Sequence, residues 1–148
     1  MADVEATKQK VQRMLVAEFD NIRLAKDSFA IEYESTIIWV EVKEWIPDDD
    51  GTPRSLVHVW APLGREVPTS PELYHWAATE GQGTWFGSVS IMDAEDGKTC
   101  MVVFDATLLA DYLDPAELAT TIYAIGFSGN EFDDLVHDRF GGKRFADE

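Results

Sequence analysis

An α+β fold is predicted, with an antiparallel sheet of about five strands packed against helices in the order α-βββ-α-ββ-α. Three observations carry this. Five runs alternate apolar with polar residues at the period of a strand. The turn-rich stretches PDDDGTPR and DAEDGK separate two pairs of these runs, and strands joined by short turns are antiparallel neighbours. Two proline-headed sequences, TSPEL and DPAEL, are helix starts.

Residues 3 to 19 read as an amphipathic helix. Asp3 stands at the N-cap, Val4, Val11, Leu15 and Phe19 fall seven, four and four residues apart on one helical face, and Lys8, Lys10 and Arg13 stay outside. Three strands follow. Ser28–Glu34 sets Phe29, Ile31 and Tyr33 against Ala30, Glu32 and Glu34. Thr36–Ile46 carries Ile38, Val40 and Val42 on one side and Ile37, Trp39, Glu41, Lys43 and Trp45 on the other. Ser55–Ala61 sets Val57, Val59 and Ala61 against Leu56, His58 and Trp60. In TSPELYHWAATEG, Ser70 caps a short helix, Pro71 opens it, Thr69 and Glu72 have capping-box spacing and Gly81 stops it. Strands Thr84–Met92 and Lys98–Asp105 form a hairpin, because Gly97 after Asp96 tolerates positive φ. Thr107–Leu113 bridges to the last helix.

Asp114, Pro115 and Glu117 supply cap, first-turn proline and capping glutamate for that helix. Leu118, Ile122, Ile125, Gly129, Phe132, Val136 and Phe140 keep one register across Gly126 and Gly129, which predicts one long helix ending at Gly141-Gly142. The alternative is a break at the glycines, with Ser128 and Glu131 as a new capping box.

The 148 residues are the size of one domain, taken as residues 1–148. Hydrophobic residues at 45% and aromatics at 11% suffice for a packed core. One cysteine, Cys100, allows no internal disulfide and points to a reducing compartment. MADVEATKQK has no apolar signal region, and no apolar run approaches the roughly 20 residues of a membrane span, so a soluble, cytoplasmic protein is expected. A formal charge of −16 repels phosphate backbones and anionic lipid, which argues against nucleic acid and membrane as partners.

Catalytic and metal-binding patterns are not found. His137 beside Asp133, Asp134 and Asp138 reads as a solvated helix face rather than a metal site. Asp48, Asp49 and Asp50 fail the calcium-loop spacing, which would put Ile46 and Val57 at ligand positions. The glycines at 81, 83 and 87 precede a strand, not a helix N-terminus, so they form no phosphate loop. Cys100 reads as a small buried hydrophobe, and Ser88 and Ser90 lie on a strand with no nucleophile elbow. No cofactor and no enzymatic activity are expected.

Five tryptophans are the feature that asks for a function. If the valine faces pack under helices, then Trp39, Trp45 and Trp60 point to the other side of the sheet. Leu56, His58, Phe86, Met101 and Val103 share that side in this reading, edged by Glu32, Glu41 and Lys43. Aromatics within a polar rim mark interaction surfaces. The competing reading is that loops, or the short helix with Trp76, cover them.

The element order is similar to that of the class I type III secretion chaperones, a fold shared by YbjN-domain proteins. LDPAELATTIYAIGFSGNEFDDLVHDRFGG resembles the closing helix of YbjN-like proteins, and KTCMVVFDATLLADYLD resembles the last strand and its lead-in. The resemblance spans roughly residues 4 to 142. It implies a chaperone-like or adaptor protein that binds a polypeptide, with homodimers common, and it offers no catalytic residues. The expected function is therefore a non-enzymatic protein- or peptide-binding module. The alternative is an acidic regulatory or inhibitory protein that binds a basic partner.

Overall fold

The computed structural model describes residues 4–25, 28–47 and 51–144. Its elements run α1 (Val4–Glu18), β1 (Ile22–Leu24), β2 (Ser28–Tyr33), β3 (Thr36–Trp45), β4 (Arg54–Pro68), α2 (Pro71–Ala78), β5 (Ser88–Asp93), β6 (Thr99–Leu109) and α3 (Pro115–Phe140). The α+β fold is as predicted, with six strands rather than about five. They form one antiparallel sheet in the order β1-β2-β3-β4-β6-β5. The added strand is β1, three residues that pair with Phe29–Ile31.

Local signals explain the helix ends. Ser70 accepts from the Leu73 amide at 3.1 Å, and Asp114 Oδ1 accepts from the Glu117 amide at 2.8 Å. Thr69 makes no capping contact, and its hydroxyl instead donates to the Lys98 carbonyl. α2 stops at Ala78, before a single 3-10 turn, Glu80–Gln82, that contains Gly81. The N-cap expected at Asp3 and the aspartates of the 48–50 loop lie outside the described residues. The predicted hairpin turn is present: Gly97 has φ of 69°, and Asp96 Oδ1 accepts from the Lys98 and Thr99 amides.

α3 is unbroken through Gly126 and Gly129. Both glycines are buried where the helix crosses the sheet. A Cβ at Gly126 would lie 2.8 Å from Ile38 and Tyr33, and one at Gly129 would lie 3.1 Å from Ala61. They permit close approach of helix to sheet, which is why they do not act as stops. The helix ends at Gly141, with φ of 84°.

All three helices lie on the valine face. Val11 and Leu15 of α1, Leu73 and Trp76 of α2, and Leu118, Ile122, Ile125 and Val136 of α3 join Ile38, Val40, Val57, Val59, Ala61, Val89, Val102 and Phe104 in one core. Trp76 is enclosed there by Phe132 and Phe140, with ring centroids 5.6 and 5.7 Å away. β4 runs on beyond Ala61 through register shifts at Pro62–Gly64 and Gly64–Val67, and its Arg65 pairs with Lys143 by two backbone hydrogen bonds.

Candidate binding surface

Strand register decides which side chains share the helix-free face, because residues directly opposite in a ladder project to the same side. Trp39 pairs with both Ala30 and Trp60, Glu41 with His58, Lys43 with Leu56, and Trp45 with Arg54. From β4 the face continues as Trp60 to Asp105, His58 to Thr107, and Leu56 to Leu109. It closes with Ser88 to Asp105, Ser90 to Val103, and Met92 to Met101. Trp39, Trp45, Leu56, His58, Trp60 and Met101 are thereby brought onto one surface.

Phe86 is not among them. It precedes β5 and lies on the helix side, beside Phe104, Ala124 and Phe127. The expectation placed it in a strand that begins at Thr84, but Gly87 is pressed against Ile125 and Phe104 and turns the chain out of the ladder before Ser88. Val103 is on the open face but buried.

At the centre Trp39 and Trp60 stack, with centroids 5.9 Å apart and planes 21° from parallel. Both rings are partly exposed. Trp60 Nε1 donates to Glu41 Oε1 at 3.1 Å, and Lys43 reaches the same carboxylate at 3.4 Å. The Trp39 indole nitrogen is buried without a partner among the described residues. The same face also carries, further along its strands, Trp45 at 49% exposure, Met92 at 49% and Leu109 at 44%. Trp76, the residue that would shield this surface if α2 crossed it, is buried on the opposite side.

A polar line crosses the face next to the stack. His58 Nε2 is 2.9 Å from Asp105 Oδ2, and Ser90 Oγ donates to Asp105 Oδ1 at 2.9 Å. Burial disfavours the Asp105 charge, yet the hydrogen bonds from His58 and Ser90 outweigh it and hold the carboxyl below its ordinary range. The carboxylate stands between serine and histidine, so the imidazole does not reach Ser90 Oγ as a base would in a nucleophilic triad. What the arrangement does is fix the histidine ring and satisfy the polar groups of an otherwise apolar surface.

Asp105, Ser90, Met92 and Leu109 were missed as members of this face. The sequence does carry a signal for Leu109: the alternation Met101, Val103, Asp105, Thr107, Leu109 continues past the predicted strand end at Asp105. The other candidates fall elsewhere. Asp133 is buried rather than solvated, with Oδ2 3.1 Å from Ser35 Oγ, while Asp134 pairs with Arg144 at 2.9 Å. Among the described residues no three His, Cys, Asp or Glu side chains gather as a metal would require. Cys100 is buried, and burial, with Asp93 nearby, pushes its thiol pKa up. Among the described residues no helix is long and apolar enough to cross a membrane.

The helix and strand order on which the sequence resemblance rests is present, with β1 added, and among the described residues helices back one side of the sheet only. Residues 4–148 match the TY-Chap1 family, described as T3SS (YopN, CesT) and YbjN peptide-binding chaperone 1, and the chain belongs to that family. No curated protein matches the sequence.

Proposed function

We propose that the protein is a non-catalytic peptide-binding chaperone or adaptor, and that Trp39, Trp45, Leu56, His58, Trp60 and Met101 form the surface on which a partner segment is buried. The observation that carries the reading is the stacked Trp39–Trp60 pair on a sheet face that no helix covers among the described residues. Tryptophans bury large area at small entropic loss, and Glu41, Lys43, His58 and Asp105 supply a polar frame. Family membership supports a polypeptide ligand, and not the charge-driven inhibitor. A single buried cysteine suits a reducing cytoplasm, and the charge of −16 disfavours nucleic acid and membrane surfaces.

The test is a peptide array probed with the purified protein, followed by titration of the best segments by fluorescence anisotropy. Trp39→Ala and Trp60→Ala are each expected to weaken binding by about tenfold or more, as for truncated hot-spot tryptophans. Binding should change little with salt, since apolar burial rather than charge drives it. Folded variants that bind as well as wild type would remove the surface. A homodimer across the same face is the alternative occupant, and concentration-dependent light scattering separates it from peptide capture.

A further inference from the structure

A second aromatic cluster lies on the helix side, where the open face cannot account for it. Trp85 is 97% exposed, with Phe127 at 59% and Phe86 at 53% beside it. Trp85 is not on a slack loop. Thr84 Oγ1 donates to the Gly87 carbonyl, Gln82 Nε2 donates to the carbonyls of Ala77 and Val89, and Gly87 is wedged against Ile125 and Phe104. The indole is thus held out in solvent by a braced turn, which lowers the ordering cost of docking something onto it.

Phe86 divides two depressions that together form a groove along α3. One, of about 330 Å³, is lined by Trp85, Phe104, Ala124 and Phe127, and the other, of about 390 Å³, by Leu108, Ala116 and Thr120. From Ala116 to Ser128 the helical wall is about 18 Å long at the α-helical rise. Among the described residues, the charged ones lining either depression are Asp114 and Glu117. Two full negative charges outweigh the half positive charge of the α3 N-terminus that they flank. With −16 on each molecule, a second copy meets repulsion at this rim, whereas a cationic ligand is drawn to it.

We infer that this groove is a second docking surface, one that takes a basic amphipathic helix from a partner protein. Apolar side chains at helical spacing fill the depressions on either side of Phe86, Trp85 closes over the bound helix, and Lys or Arg side chains meet Asp114 and Glu117. The open sheet face and this groove lie on opposite sides of the sheet, so the two ligands do not compete for space.

A labelled peptide of about 18 residues, with Leu and Lys placed for one apolar helical face, is the probe. It is titrated at physiological ionic strength by fluorescence anisotropy against wild type, Trp85→Ala, Thr120→Arg and Trp39→Ala. Trp85 and Thr120 are exposed, so both changes leave the core intact. Trp85→Ala is expected to weaken binding by about tenfold, and Thr120→Arg, which blocks the groove and offsets part of its negative charge, by more. Trp39→Ala should stay within about twofold of wild type, because that residue is on the far side. A Leu/Glu version of the peptide should not bind. Equal affinity for wild type, Trp85→Ala and Thr120→Arg would reduce the attraction to general acidity and overturn the assignment. Loss only in Trp39→Ala would put the peptide on the open face, sinking this inference while supporting the function proposed above. A wild-type dimer that Thr120→Arg splits would give the groove to a second copy and overturn it equally.

Discussion

Asp105 and Asp133 are both acids within the folded layer, and their surroundings push them in opposite directions. Asp105 is held in the charged form by His58 and Ser90 against the effect of burial. Its depressed pKa contributes stability that is fully present above the ordinary carboxylate value of 3.8 and is lost as pH falls through the lower folded value. Asp105→Ala should therefore cost about 1–3 kcal/mol in urea unfolding at neutral pH, with His58 and Ser90 left unpaired, and the gap from wild type should narrow in acid. Asp133 behaves inversely: burial, with Asp134 adding to it, raises its pKa despite opposing contributions from Ser35 and Arg144. Ser35 Oγ faces two acceptors, Asn130 Oδ1 at 2.6 Å and Asp133 Oδ2 at 3.1 Å, but carries one hydrogen. The neutral form of Asp133 can supply the missing one. The fold thus loses stability as pH rises from 3.8 through the raised value, and stays lower above it. Asp133→Asn, which keeps a donor there permanently, should melt at higher temperature than wild type at neutral pH, the difference vanishing below the ordinary carboxylate value. At this scale the sequence disclosed sides but not partners. Strand parity put Trp39, Trp60 and His58 on one face, whereas the His58–Asp105 bond depends on β4 lying beside β6, a neighbour relation that no local pattern carries.

Among the elements, α3 shows what a helical register can and cannot reveal. Its cap, its proline and its terminal glycine are local chemistry and were readable. The purpose of Gly126 was not, because it depends on the hairpin of β2 and β3 lying beneath. Gly126→Ala gains helix propensity but pushes a methyl against Tyr33 and Ile38, and the overpacking should win by about 1–3 kcal/mol, read as a lower unfolding midpoint. Asp114→Ala, which removes the hydrogen bond to the Glu117 amide, should cost about 1 kcal/mol by the same measurement. The strands were read less completely. β1 is too short to show alternation, and β4 passes Pro62 at a register shift, where the missing amide and the broken ladder coincide. β5 starts at Ser88 rather than Thr84: Thr84–Gly87 carries strand-forming aromatics, but packing of Gly87 on the core diverts that segment to the helix side.

For the whole molecule, the layer arrangement follows from the sequence: alternating strands need cover on one side only, and three amphipathic helices supply it. What the sequence left open was whether anything else covered the aromatic side, and the position of Trp76 under α2 answers that for the described residues. The result is a protein of a peptide-binding chaperone family whose tryptophan-bearing sheet face has no helix over it among the described residues. Where a ligand dries the surface is read residue by residue from the indole N–H signals of the five tryptophans in a heteronuclear NMR titration. With a segment selected on the peptide array, the Trp39 and Trp60 signals are expected to shift in a saturable manner while that of core-bound Trp76 holds still. Saturable binding that leaves Trp39 and Trp60 unmoved would place the ligand elsewhere and remove the open sheet face as the binding surface.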